Sequence, residues 1–200
     1  MTKVKLCGMR SPEDVKNASA LSPAYIGVIL SSGFKRSVDP GELPKFRKNL
    51  GEGIPLVGVF VDEDLENIKN IADNGLIDII QLHGKESDDD VKRIKKETNK
   101  QVIKAFKITT KEDIKKAEKS SADIVLLDAG TGTGESFDWQ LVIGIKRDYI
   151  LAGGLDPYNV SDAINELHPY GVDVSSGIET DGRKDKYKMK EFVEAVIKKG

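Results

Sequence analysis

A single cysteine, Cys7, leaves the chain without an internal disulfide, so that residue is a buried small hydrophobe, a reactive thiol or incidental. Only two histidines occur, His83 and His168, and their separation offers no metal-ligand spacing. No metal is therefore expected. Every apolar run falls short of the about 18–20 residues that cross a membrane, and the N-terminus lacks the basic-then-apolar layout of a secretory leader. These absences point to a cytoplasmic chain with no membrane partner. Charge of one sign is scarce as well: 31 Lys and Arg against 33 Asp and Glu leave a formal net charge of −2, which gives no footprint for nucleic acid. A small molecule is the expected partner, and nothing in the sequence sets an oligomeric state. Also missing is any Pro/Gly/Ser-rich linker or low-complexity segment, so residues 1–200 read as one domain.

Against these absences stands a repeated pattern: short apolar runs, each stopping at a small, polar or acidic residue and followed by a helix-like segment. Strands are expected over 3–6, 25–30, 55–61, 77–82, 102–106, 124–127, 149–152 and 172–174. The first helix opens at Ser11-Pro12-Glu13-Asp14, with an N-cap, a proline at the first helical position and acids in the first turn, and runs to about Leu21. Further helices are expected from Asp39 to the stop at Gly51 and Gly53, over 62–74, 87–100, 111–119 and 139–145, from about Pro157, and over 185–199. The weakest units are the short segment 139–145 and the short eighth strand. Continuous apolar strands alternating with helices indicate an α/β fold with parallel strands covered by helices. Eight such units without a reversal predict a (β/α)8, or TIM, barrel of minimal size, with an open doubly wound sheet as the alternative.

In such a barrel the C-terminal strand ends share one face, where the chemistry lies. Here they carry Cys7, the Arg36 loop, Asp62, His83, Lys107, Asp128, Gly153-Gly154 and Ser175-Ser176-Gly177. Glycine-containing turns after the last two strands are the usual phosphate cradle of these barrels, because backbone N–H groups converge there on an anion; otherwise they only turn the chain. Cys7 and Asp128 are the candidate base and acid, since a dry pocket that perturbs both leaves a thiolate beside a protonated carboxyl. Asp128 read alone also suits a helix cap or a partner for a nearby cation. Arg36 suits a bidentate grip on a carboxylate or a solvated loop charge.

Other features carry less. Gly130-Thr131-Gly132-Thr133-Gly134 looks nucleotide-like but lacks the G-x-G-x-x-G ending and the later acidic partner, and reads as an active-site loop. His83 suits a pocket role or simple loop packing. His168, before Pro169, reads as a surface turn residue, 85–100 as a solvated helix face and Trp139 as a packing anchor. Lys5 and Lys104 lie within strands and suggest no constellation of lysines beside carboxylates, the set on which a neighbouring phosphosugar barrel chemistry, indole-glycerol phosphate synthesis, relies.

Taken in order, the strand-end motifs resemble the phosphoribosylanthranilate isomerase family over nearly the whole chain. Lys5-Leu6-Cys7-Gly8-Met9 resembles the family's opening K-[IV]-C-G-[IM]. Lys35-Arg36-Ser37-Val38, Val57-Gly58-Val59-Phe60-Val61, Gln81-Leu82-His83-Gly84 and Leu126-Leu127-Asp128 follow. So do Gly132-Thr133-Gly134 before Phe137-Asp138-Trp139, Leu151-Ala152-Gly153-Gly154-Leu155 and Val172-Asp173-Val174-Ser175-Ser176-Gly177-Ile178-Glu179. Thr131, where the family usually has glycine, and Gly33-Phe34 depart from the pattern and bear on loop shape.

The resemblance implies an aldose–ketose isomerase of tryptophan, and so aromatic amino acid, biosynthesis. Its reaction is the Amadori rearrangement of N-(5-phosphoribosyl)anthranilate to 1-(2-carboxyphenylamino)-1-deoxyribulose 5-phosphate. It implies Asp128 as the acid that opens the furanose ring and Cys7 as the base at C2. Arg36 would hold the anthranilate carboxylate, with His83 a further substrate-side residue and Asp173 lining the anthranilate side. Gly153, Gly154, Ser175, Ser176 and Gly177 would hold the phosphate. No cofactor is implied, because the iminium nitrogen is itself the electron sink.

Overall fold

The eight apolar runs each form a strand, and these eight strands close into a ring. The protein is seen in a computed structural model, which describes residues 1–128 and 141–198. The strands are β1 (Lys3–Leu6), β2 (Tyr25–Ile29), β3 (Leu56–Phe60), β4 (Ile79–Leu82), β5 (Gln101–Lys107), β6 (Ile124–Asp128), β7 (Tyr149–Ala152) and β8 (Gly171–Val174). All neighbours are parallel, and β8 closes on β1 in the register Lys3↔Gly171 to Leu6↔Val174. The chain therefore forms the expected (β/α)8 barrel.

Seven α-helices cover it among the described residues: α1 (Pro12–Ser19), α2 (Leu43–Asn49), α3 (Leu65–Asp73), α4 (Asp88–Thr98), α5 (Lys111–Lys119), α6 (Val160–Leu167) and α7 (Lys186–Ile197). Side-chain caps set several starts. Ser11 with Asp14, Ser87 with Asp90 and Thr110 with Asp113 form reciprocal capping boxes, satisfying donors that a helix N-terminus leaves unpaired. Expected at Asp62, α3 instead begins after Asp64, whose carboxylate accepts from the N–H groups of Glu66 and Asn67. His168 caps α6 in the left-handed conformation at φ 45°. The expected loop 130–134, Phe137-Asp138-Trp139 and the start of the helix at 139–145 lie outside the described residues. From Leu141 onward that connection forms a turn without an α-helix.

Two packing layers explain why the strands are apolar on both faces. Inside the ring, Cys7, Tyr25, Val57, Val59, Ile79, Ile103, Ala105, Leu126, Ile150 and Ala152 pack together. Their strand neighbours, such as Leu6, Phe60, Val102, Val125 and Val172, point outward against the helices. Burying each large side chain contributes about 1.5–3 kcal/mol, so alternate residues of one strand stabilise different layers.

The sequence reading did not include a two-stranded antiparallel ribbon after β8. A 3-10 turn at Ser176–Ile178 leads into β9 (Glu179–Thr180), which pairs with β10 (Arg183–Lys184). Asp181 and Gly182 turn it at φ 49° and 71°. That Asp-Gly pair is the signal that a tight hairpin demands. The ribbon folds back over the barrel rim beside β1.

Candidate active site

The rim residues fall into two groups. The first surrounds the end of β1. Gly8, at φ 77°, has no room for a side chain: a Cβ there would lie 2.8 Å from Ser175 Oγ, 2.9 Å from Arg36 Cδ and 3.4 Å from Lys184 Nζ. Close approach to glycine backbone thus brings β1, the loop after β2, the end of β8 and the ribbon together. Arg36 donates from Nε to Glu179 Oε1 at 2.6 Å and from Nη2 to Oε2 at 2.8 Å. Lys184, with its side chain fully buried, pairs with Glu179 Oε1 at 3.0 Å and donates to the Ser175 carbonyl at 2.8 Å.

Beneath this layer Lys5 and Asp173 face one another in strand register, and Lys5 Nζ donates to Asp173 Oδ1 at 2.8 Å inside the barrel. Cys7 directly follows β1 and, two residues on from Lys5, points to the same face. Gly27 on β2 gives them space: a Cβ there would meet Cys7 Sγ at 2.7 Å and Lys5 Nζ at 3.3 Å. The sequence reading gave Lys5 no partner. The structure corrects that, and also pairs buried Lys104 with Glu86 at 2.8 Å, on the outer side of β5.

Burial shapes the electrostatics. It pushes the Cys7 thiol above its ordinary range, against the opposing pull of Lys5, while Asp173 adds to the rise and Lys184 lowers it. That direction favours the thiol over the thiolate. Burial also disfavours the Lys5 ammonium, but Asp173 and Cys7 outweigh it and Lys5 is raised. Lys184 is lowered by burial despite Glu179. Burial would lift the Glu179 carboxyl, yet hydrogen bonds from Arg36 and Lys184 bring it down to about 2.

The second group joins β4 and β6. His83 Nε2 lies 3.2 Å from Asp128 Oδ2, and its Nδ1 lies 2.8 Å from Gln81 Nε2. With the amide N–H donating to Nδ1, the ring proton sits on Nε2 and is donated to Asp128. Gln81 Oε1 is buried without a hydrogen-bond partner among the described residues. Gln81 itself was legible only as strand, since its side chain enters the barrel interior at an apolar position.

The expected phosphate residues lie at the ends of β7 and β8. Gly153 and Gly154 take φ values of 94° and 67°, which favour glycine. A Cβ on Gly177 would collide with the Leu155 carbonyl oxygen and Asp156 Cα, so the two turns touch. Ser176 opens the 3-10 turn that follows Ser175.

Fold and rim define an enzyme-type (β/α)8 barrel with its polar groups gathered at the C-terminal strand ends. A sequence model of the N-(5'phosphoribosyl)anthranilate (PRA) isomerase family matches residues 4–195. N-(5'-phosphoribosyl)anthranilate isomerase of Caldanaerobacter subterraneus subsp. tengcongensis is 43% identical over 203 residues, covering 98% of each chain. The enzyme of the same name from Clostridium acetobutylicum is 39% identical over 207 residues, covering 99% of each. Among solved structures, phosphoribosyl anthranilate isomerase from Thermotoga maritima superposes with a TM-score of 0.92 at 32% identity, covering 99% of this chain and 100% of that one. The chain belongs to the PRA isomerase family.

Proposed function

We propose that this chain catalyses the Amadori rearrangement of N-(5-phosphoribosyl)anthranilate in tryptophan biosynthesis, with one barrel domain as the catalytic unit and a cytoplasmic setting. A solved relative, at TM-score 0.88 and 31% identity, holds reduced 1-(O-carboxyphenylamino)-1-deoxyribulose 5-phosphate, which supports a phosphorylated small-molecule ligand here. The observation that carries the reading is the rim itself. Cys7, Arg36, His83, Asp128, Gly153-Gly154 and Asp173 to Gly177 all belong to the ends of β1, β2, β4, β6, β7 and β8 or the loops that follow them.

In this reading Asp128 gives a proton to the furanose ring oxygen as the bond from that oxygen to C1 breaks, leaving a protonated Schiff base at C1. Cys7 as thiolate then takes the proton from C2, and the electron pair moves to the iminium nitrogen to give an enolamine. C1 gains a proton as the C2 hydroxyl loses one, so the ketone has the atoms of the substrate. Arg36 has a second edge, Nη1 and the remaining Nη2 hydrogen, that Glu179 does not use. That edge would receive the anthranilate carboxylate, with Asp173 on the anthranilate side. Gly153, Gly154, Ser175, Ser176 and Gly177 would receive the phosphate. Loss of phosphoribosylanthranilate fluorescence on adding the purified protein tests the activity; a folded chain that leaves the signal unchanged would sink the reading.

A further inference from the structure

The fully buried Lys5 ammonium stands where nothing in the reaction scheme asks for it, in contact with Asp173 and beside the one thiol of the chain. A lysine inside a barrel loses its hydration and is retained only with compensation. Asp173 provides part of that compensation. The wider group leaves a remainder: Lys5, Arg36 and Lys184 are three cations, joined by ion pairs to two carboxylates, Asp173 and Glu179. One positive charge is left over, which an ionised Cys7 would balance.

We propose that Lys5 is a positioning residue that holds the Cys7 thiolate by charge, and that Asp173 sets how much of that charge the sulfur receives. The idea rests on the proposed role of Cys7 as base. Gly27 supports the geometry, since any side chain there would enter the space that the sulfur and the ammonium border. Among the described residues, the charged groups that act on Cys7 from the elements around it are Lys5 on β1, Asp173 on β8, Lys184 on β10 and Arg36 after β2, with Glu179 on β9 pairing the last two. The burial that raises the thiol is opposed first by Lys5, while Asp173 works the other way. A substrate group that draws on Asp173 would release the ammonium toward the sulfur, so ionisation of the base would follow substrate binding.

Because Cys7 is the only cysteine, its titration can be read without interference, as the ultraviolet absorbance of the thiolate in each protein minus that of its Cys7→Ser counterpart. Lys5→Met should raise the midpoint and Asp173→Asn should lower it, each by about one to three pH units, the usual effect of one adjacent charge. Opposite shifts support the proposal; no shift, or shifts in the same direction, overturn it. If Lys5→Met fails to fold by circular dichroism, Asp173→Asn decides alone: it keeps an oxygen for Lys5 to bond, and an unchanged or higher midpoint is the contrary result. Activity is not the readout, so failure here leaves the role of Cys7 untouched. That role fails separately, if Cys7→Ser turns over substrate normally.

Discussion

Glu179 holds Arg36 by one edge of its guanidinium, at 2.6 Å through Nε and 2.8 Å through Nη2, and leaves the other edge unused by that pair. A planar cation gripped along one side has a fixed direction along the other, so this pair determines how Arg36 can meet a ligand carboxylate. Lysine offers neither the fork nor two edges. Arg36→Lys is expected to raise KM by about 10–100-fold, the equivalent of a charge-assisted contact of about 1.5–3 kcal/mol, with a smaller effect on kcat. Inhibition by inorganic phosphate should be unchanged. Equal weakening of phosphate would assign Arg36 to the other end of the substrate.

The proposed acid and base carry the largest expected losses. Cys7→Ser and Asp128→Asn should each lower kcat/KM by at least about 10²-fold, as removal of a general acid or base does, while KM moves little. A substrate analogue already opened to the Schiff base should restore much of the rate to Asp128→Asn and none to Cys7→Ser. If both variants respond alike, ring opening is not the step that Asp128 serves.

His83 links Asp128 to Gln81, and the pairing has two arrangements. With the Gln81 N–H on Nδ1, the ring donates from Nε2 to Asp128. If the Gln81 amide turns over, its now unpartnered Oε1 can accept from Nδ1–H, and Nε2 can accept a proton from Asp128. Both forms of the carboxyl therefore have a partner in His83. His83→Ala should lower kcat by about 10–100-fold, from loss of a charged hydrogen bond, with KM nearly unchanged. His83→Gln, whose amide reaches the Nε2 position, should recover part of that loss. Gln performing no better than Ala would reduce His83 to packing.

The two turns proposed to hold the phosphate differ in what they tolerate. Gly154 has open space around its missing Cβ, so Gly154→Ala should cost about 1–2 kcal/mol in stability from its positive φ and leave KM close to normal. Gly154→Asp adds a negative charge and should raise KM strongly. Gly177→Ala collides with backbone of the β7 turn and should lower Tm and raise KM together. Sulfate should compete with substrate in the wild type. Absence of that competition would remove the cradle from these turns.

Acid stability should report Glu179. Its folded value of about 2 lies below the ordinary 4.5, so its ionised form stabilises the fold above about pH 4.5, and that contribution fades as pH falls through about 2. Glu179→Gln removes the contribution at neutral pH and has nothing further to lose in acid. Tm measured from neutral pH downward should show the variant below the wild type at first and converging with it near pH 2. Parallel curves would mean that Arg36 and Lys184 do not depress this carboxyl.

The sequence by itself determined the barrel, because each of its signals is local. Val28 to Leu30, Val57 to Phe60 and Ile124 to Leu127 are apolar on consecutive residues, which only a strand buried on both faces requires, and Ser11, Ser87 and Thr110 mark helix starts within four residues. Cys7, His83 and Asp128 were legible as rim residues for the same reason: each stands directly after an apolar run. What the tertiary structure decided lies between residues far apart in the chain. Lys5 reads in sequence as an oddly placed charge, and only closure of β8 onto β1 supplies Asp173 from 168 positions away. Glu179 reaches Arg36 across 143 positions through a ribbon whose sole local sign is Asp181-Gly182. Gln81 looked like one more strand residue until its neighbours around the ring defined which face is the interior. A buried charge or amide is tolerated only by its partners, and those partners follow from ring closure and register, which no window of the sequence contains.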